Sequence, residues 1–150
     1  MNRRIHILGA AGAGTTTLGQ AVSTRLSILH FDTDDYFWLK TPIPYTKKRD
    51  AEQRVELLKS DLLSVPEWVL SGSLCGWGDS AIPLFTLVVF LWIPAGVRMT
   101  RLREREVSRY GLEALSPGGW FYNNHQEFMS WAEKYDSAGA DIRSKKLHEQ

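Results

Sequence analysis

The chain has 150 residues, of which 43% are hydrophobic and 23% charged, and a formal net charge of +1 at pH 7. These values suit one soluble globular domain spanning residues 1–150 with a sizeable core, and they exclude a polybasic protein drawn to nucleic acid or to an anionic membrane. A single cysteine, Cys75, excludes an intrachain disulfide and a cysteine-built metal cluster, and suits a reducing, cytoplasmic compartment.

Asn2-Arg3-Arg4 ahead of an Ala/Gly-rich stretch has the outline of a signal peptide, but His6 and the glycines that follow leave no clear apolar segment for one. Arg4–Leu8 is short, apolar and β-branched, as a buried strand should be. It opens into Gly9-Ala10-Ala11-Gly12-Ala13-Gly14-Thr15-Thr16, which reads G-x-x-x-x-G-T-T and differs from the phosphate-cradling P-loop at one position. Thr15 stands where that loop has lysine. Glycines at 9, 12 and 14 let backbone N–H groups turn around an anion, and the helix that begins near Gly14 aims its positive end at the same place. Gly9, Gly12, Ala13, Gly14, Thr15, Thr16 and Thr17 are therefore expected to bind a nucleotide's phosphates, with the Thr16 hydroxyl on Mg²⁺. The other reading of the spacing is a plain Gly-rich strand-to-helix turn. Leu18, Ala21, Val22, Arg25 and Leu26 recur at helical intervals behind the loop.

Ser27–Phe31 is a second short strand, running into Asp32-Thr33-Asp34-Asp35-Tyr36-Phe37-Trp38. Turn chemistry follows at Thr41-Pro42-Ile43-Pro44-Tyr45, then the basic run Lys47-Lys48-Arg49. Asp50 caps a helix, Gln53 completes a capping box, and Val55, Leu58 and Leu62 form the apolar face. Trp68–Gly72 is a third strand, leading into the Gly-rich turn Ser73-Leu74-Cys75-Gly76-Trp77-Gly78-Asp79. Leu87–Ile93 reads as a strand buried on both faces. The uncharged run around it, residues 81–97, carries prolines at 83 and 94 and is too short to span a bilayer comfortably. Alternation of strands and helices argues for a parallel sheet covered by helices.

From Val97 to Tyr110 the pattern is helical, and Arg98, Arg101, Arg105 and Arg109 share one face. Stacked like charges favour an anionic partner, although Glu104 and Glu106 are placed to form local pairs with Arg101 and Arg109. Gly111–Gly119 reads as a mobile loop, a helix starts near Asn123 or Asn124, and Asp141 caps a last helix running to Gln150. His6 and His30 fall in strands and suit a core role; His125 lies just beyond the loop, within reach of substrate.

This order of parts resembles the nucleoside monophosphate kinase and shikimate kinase group. More narrowly, the chain is similar to small bacterial adenylate-kinase-related P-loop proteins, through Gly-Ala-Gly-Thr-Thr-Thr-Leu-Gly at 12–19, Asp-Thr-Asp-Asp-Tyr-Phe-Trp at 32–38 and Ser-Gly-Ser-Leu-Cys-Gly-Trp-Gly-Asp at 71–79. The resemblance implies an α/β P-loop fold, a three-layer parallel sheet in the order 2-3-1-4-5, and transfer of the γ-phosphoryl group of Mg-ATP to a nucleotide or hydroxyl-bearing metabolite. It further implies an acceptor-binding segment at about 32–66 and a lid at about 105–124. Within these, Asp32 would help hold Mg²⁺ or act as base, and Asp34 would bind the acceptor hydroxyl. Asp35, Trp38, Gly72, Gly76 and Trp77 would line the acceptor pocket, with Trp120 as a further candidate wall. Arg101, Arg105 and Arg109 would stabilise the transferring group. The same Asp-Thr-Asp-Asp also fits a helix cap.

Two departures bear on function. Loss of a preorganised positive donor costs roughly 10²–10³ in rate, so either an arginine of the 98–109 stripe or Arg143 in the last helix replaces the missing lysine, or the protein binds nucleotide with little turnover or acts as a weak NTPase. The second departure is a sheet without its fifth strand. Strand 87–93 then becomes an apolar edge, which implies a truncated form or pairing with a second copy as a homodimer.

Overall fold

The computed structural model describes residues 1–150, which fold as two compact units. The first comprises Met1–Gly9 and Gly14–Leu91, and the second Ala10–Ala13 and Trp92–Gln150.

The first unit holds a four-stranded sheet in the order β2-β3-β1-β4, with every pairing parallel. The strands are β1 (Arg4–Gly9), β2 (Leu29–Asp32), β3 (Trp68–Ser71) and β4 (Leu87–Leu91). In register, Ile7 lies opposite Ser71 on β3, and Ser71 lies opposite Asp32 on β2. Two strand ends that carry polar side chains, Asp32 and Ser71, are thereby aligned at the C-terminal edge of the sheet, where ligands bind in open α/β folds.

Helix α1 (Thr15–Leu26) lays Leu18, Val22 and Leu26 on Ile5, Ile7 and Val69. Helix α2 (Thr33–Phe37) follows β2 at once. Helix α3 (Ala51–Ser64) starts where Asp50 accepts from the N–H groups of Glu52 and Gln53, as its capping position predicts. Its Leu58 and Leu62 are fully buried with Tyr36, Trp68, Leu70 and Leu74, each leucine contributing ~1.5–3 kcal/mol of apolar transfer. The Trp68 indole N–H is satisfied at 3.0 Å by the Leu62 carbonyl.

The apolar run Leu87–Ile93 behaves differently from the expectation of a strand buried on both faces. It ends as a strand at Leu91 and forms one border of the sheet, with Leu87 53% and Val88 50% exposed. The strand that is buried on every residue is β3, whose Trp-Val-Leu-Ser carries a weaker apolar signal. Hydropathy marks a strand as apolar but does not say whether a neighbour covers it.

The second unit is helical: α4 (Ala95–Tyr110), α5 (Leu112–Leu115), α6 (Tyr122–Glu133) and α7 (Lys145–Glu149). Leu102 of α4 packs with Met129 and Ala132 of α6. The stretch expected as a mobile loop contains α5 instead, because Ala114 and Leu115 find an apolar partner in Phe121, and Tyr110 stacks on Phe121 with ring centroids 4.0 Å apart. The last helix is short and is capped by the hydroxyl of Ser144, not by Asp141; that hydroxyl accepts from Leu147 N–H at 3.1 Å. No helix is long and apolar enough to cross a membrane.

Candidate functional site

The loop between β1 and α1 has the backbone its glycines require. Gly12 and Gly14 adopt φ of +81° and +95°, values that a side chain disfavours. Ala13 N–H closes a turn on the Ala10 carbonyl at 3.1 Å. Gly14 is the residue before α1, no side chain caps that helix, and its first turn carries no acidic residue. The positive end of a twelve-residue helix thus carries no capping or acidic side chain of its own, an arrangement that suits an anion. Thr15, in the lysine position, is buried.

Thr16 lies one residue further on and faces outward. Its hydroxyl donates to Asp32 Oδ2 at 2.6 Å. Asp32 Oδ1 accepts from Asp34 N–H at 3.0 Å, so Asp32 is the cap of α2, as the helix-cap reading of Asp-Thr-Asp-Asp expects. Ser71 at the end of β3 donates to the same Oδ2 at 3.3 Å, and its oxygen lies 2.8 Å from His30 Nε2. Thr16, Asp32, Ser71 and His30 therefore form one connected polar network. Asp32 and Thr16 lie in recognisable motifs. Ser71 and His30 do not, since a serine ending a strand and a histidine within one carry no motif; only register brings them together. Burial lowers the His30 pKa, an effect the carboxylates of Asp32 and Asp35 partly offset.

A hydroxyl and a carboxylate in contact make a hard, all-oxygen donor pair. That set fits Mg²⁺, which binds through one or two carboxylates together with substrate phosphates and retained waters. No group of three or more His, Cys, Asp or Glu side chains is arranged to hold a metal by itself.

The other candidates separate into exposed and structural. Asp34 and Asp35 are exposed on α2. Trp38 is half-buried, edge-on to Phe37 at 4.8 Å and to Tyr45 at 6.4 Å. Trp77 packs against the core around α3, with its indole N–H on the Ser73 carbonyl at 3.2 Å. Gly72 has φ +107°, and a Cβ there would sit 2.0 Å from Thr33 Oγ1, so packing within the first unit accounts for this glycine. Gly76, with φ +76°, faces open space. His6 is a buried core histidine whose Nε2 meets the Gly72 carbonyl at 3.0 Å.

In the second unit the arginine stripe divides. Arg98 does not join its neighbours: it is buried, with NH2 on Asp136 Oδ2 at 2.9 Å and NH1 on the Ile93 carbonyl at 2.6 Å. A guanidinium so engaged is structural. Arg101, Arg105 and Arg109 are exposed. Arg101 points NH1 at the Gly12 carbonyl over 3.4 Å, and a Cβ on Gly12 would meet the Arg98 carbonyl at 2.8 Å and the Leu102 side chain at 3.0 Å. The Ala10–Ala13 part of the loop thus rests on α4, with Arg101 beside it. Glu106 is not a surface partner for Arg109; it is buried, with His125 Nδ1 3.8 Å from its Oε1. His125 is buried too, beside Glu106. Arg143 precedes α7 and does not lie within it; its guanidinium sits 5.8 Å from the centre of the Trp131 ring. Trp120 is 63% exposed.

Over 149 residues the chain is 52% identical to the uncharacterized protein YqaC of Bacillus subtilis (strain 168), a match that covers 99% of this chain and 82% of YqaC. The chain belongs to the YqaC family. No family model matches the sequence. Among solved structures, this YqaC relative is similar to shikimate kinase from Bacteroides thetaiotaomicron, with a TM-score of 0.54 and 21% identity over 88% of this chain and 82% of that one. It is also similar to shikimate kinase from Acinetobacter baumannii in complex with shikimate, with a TM-score of 0.51 and 15% identity over 93% and 87% of the two chains. At these identities the likeness establishes the fold, an α/β P-loop kinase fold with strand order 2-3-1-4.

Proposed function

We propose that this protein is a small-molecule kinase that transfers the γ-phosphoryl group of Mg-ATP to a hydroxyl- or phosphate-bearing metabolite. The observation that carries the reading is the 2.6 Å contact between Thr16 and Asp32, next to a loop whose glycines and uncapped helix suit phosphate. In this reading backbone N–H groups of 9–14 hold the phosphates. Thr16 and Asp32 would hold Mg²⁺, which supplies charge neutralisation between the phosphates. Because the Thr16 proton is directed to Asp32, the lone pairs of its oxygen are left for the cation. Asp34, exposed on α2, is assigned to the acceptor hydroxyl, which a carboxylate can orient and deprotonate.

The charge missing at Thr15 is assigned to Arg101. Arg98 is committed to Asp136, whereas the Arg101 guanidinium lies 3.4 Å from the Gly12 carbonyl. Arg105 and Arg109, later on α4, are reserved for the transferring phosphoryl group. The substitution is not conservative in reach: an arginine from another helix delivers a planar fork of donors where the loop lysine delivers a point charge.

A second reading, a nucleotide-binding protein with little turnover, rests on Thr15, a buried hydroxyl in the lysine's place. Calorimetric titration of ATP with and without Mg²⁺, followed by ADP release with a panel of nucleoside monophosphates, polyols and hydroxy acids, separates the two. Tight ATP binding with no acceptor-stimulated ADP leaves only the second; no nucleotide binding sinks both. For Arg101, the decisive comparison is Arg101→Met alone and with Thr15→Lys. If one charge does the work of the other, Arg101→Met lowers turnover by roughly 10²-fold or more and Thr15→Lys restores much of it. Additive effects of the two substitutions would refute that assignment.

A further inference from the structure

Asp32 is held by more than the motif that identifies it. Its Oδ2 takes one hydrogen bond from Thr16 and another from Ser71, and Ser71 is completely buried. A hydroxyl has a single proton. A carboxylate only accepts, so that proton lies on the Asp32 side, and the 2.8 Å contact between Ser71 Oγ and His30 must be made by an N–H on His30 Nε2. The direction of donation is therefore fixed from end to end: His30 to Ser71, Ser71 to Asp32.

The helix makes room for this chain. Gly19 lies inside α1, where glycine is the least suited residue after proline. A Cβ at that position would be 2.6 Å from His30 Nε2 and 3.0 Å from Ser71 Cβ. The missing side chain is what lets His30 and Ser71 meet. Two hydroxyls, from α1 and β3, thus meet on one carboxylate oxygen, with His30 of β2 behind Ser71 and Gly19 clearing the space for both.

We infer that Ser71 and His30, given space by Gly19, are positioning residues for the Asp32 carboxylate, fixing the orientation in which it meets the cation bound with nucleotide. The inference rests on the kinase reading above only in taking Asp32 and Thr16 as the Mg²⁺ side of the site. Outer partners of this kind alter metal affinity by roughly 10–100-fold when removed, with little effect on binding that does not involve the metal.

The test is calorimetric titration of ATP over a series of Mg²⁺ concentrations, for the wild type, Ser71→Ala, His30→Leu, His30→Gln and Gly19→Ala. Ser71→Ala and His30→Leu are expected to raise the Mg²⁺ concentration for half-maximal tightening of ATP binding by about tenfold or more. Metal-free ATP binding should stay within twofold of wild type. His30→Gln keeps an N–H donor and should recover most of the loss, which a purely structural role for the ring would not predict. Gly19→Ala should mimic His30→Leu even though alanine is the better helix former. Should the Ser71→Ala and His30→Leu proteins, folded by circular dichroism, show wild-type Mg²⁺ dependence, the positioning role is refuted while the kinase reading stands. A wild-type protein whose ATP affinity ignores Mg²⁺ overturns both.

Discussion

Acid titration of His6 gives a prediction whose size follows from the structure. His6 sits in β1, one of the sheet's two inner strands, buried, its Nε2 on the Gly72 carbonyl and its ring 4.6 Å from that of Phe85. Burial pushes its pKa down to about 4 from an ordinary 6.5, with the Gly72 carbonyl only partly opposing the shift. A depressed folded-state pKa means that, between these two values, the unfolded chain binds a proton that the native protein refuses. Stability is therefore fully present above pH 6.5 and is lost as the pH falls toward 4. The whole interval is worth about 3 kcal/mol, and the part between pH 7 and pH 5 about 2 kcal/mol. Urea unfolding of the wild type and His6→Gln at pH 7, 6 and 5 measures it, because glutamine retains a donor for Gly72 but does not titrate. The wild type should lose about 2 kcal/mol more than the variant over that range, other titrating groups being common to both. Parallel pH profiles, agreeing to within ~0.5 kcal/mol, would show that His6 is protonated or solvated in the native state and refute the reasoning.

Other consequences are as direct. Gly72→Ala places a methyl against Thr33 Oγ1 at a backbone angle that alanine avoids, and should lower stability by ~2–4 kcal/mol in thermal or urea unfolding. Arg98→Ala removes a buried guanidinium from Asp136 and the Ile93 carbonyl, at a cost of about 2–4 kcal/mol, whereas Arg105→Ala, on the exposed side of the same helix, should stay within ~0.5 kcal/mol in unfolding while lowering phosphoryl transfer. Ser144→Ala deletes the cap of α7 and should cost ~1 kcal/mol, read as a lower unfolding midpoint.

What the sequence revealed and what it concealed differ in kind. The P-loop spacing, the Asp50 cap and the alternation of strands with helices are local patterns, and each appears in the structure where the pattern lies. Thr16 and Asp32 stand out in the sequence through motifs that associate each with phosphate chemistry, and only the folded chain brings their oxygens to 2.6 Å. The arginine stripe was legible as a stripe but not as separate residues. Helical spacing gives Arg98 and Arg101 neighbouring positions, and nothing in it foretells that Asp136, 38 positions away, takes the first out of play. The same holds for His30 and Ser71, 41 positions apart, and for Gly19, which in sequence is a weak helix residue and in space is a clearance. Side chains that act through a neighbour have no motif because their constraint is register, and register is a property of the sheet. Asp32 illustrates the consequence. Reading it as either a helix cap or a metal ligand poses a false choice, since one oxygen caps α2 and the other collects Thr16 and Ser71. A carboxylate anchored through Oδ1 to the backbone has its plane set, so in the proposed site the cap would orient Asp32 toward the cation. Asp32→Asn is the sharpest probe of that coupling. It keeps an oxygen able to cap α2 but replaces the charge and turns an NH2 group toward the Thr16 and Ser71 hydroxyls, so it should cost only ~1–2 kcal/mol of stability while weakening Mg²⁺-dependent ATP binding at least tenfold. A large fall in stability with Mg²⁺ dependence intact would mean that Asp32 serves the fold and not the site.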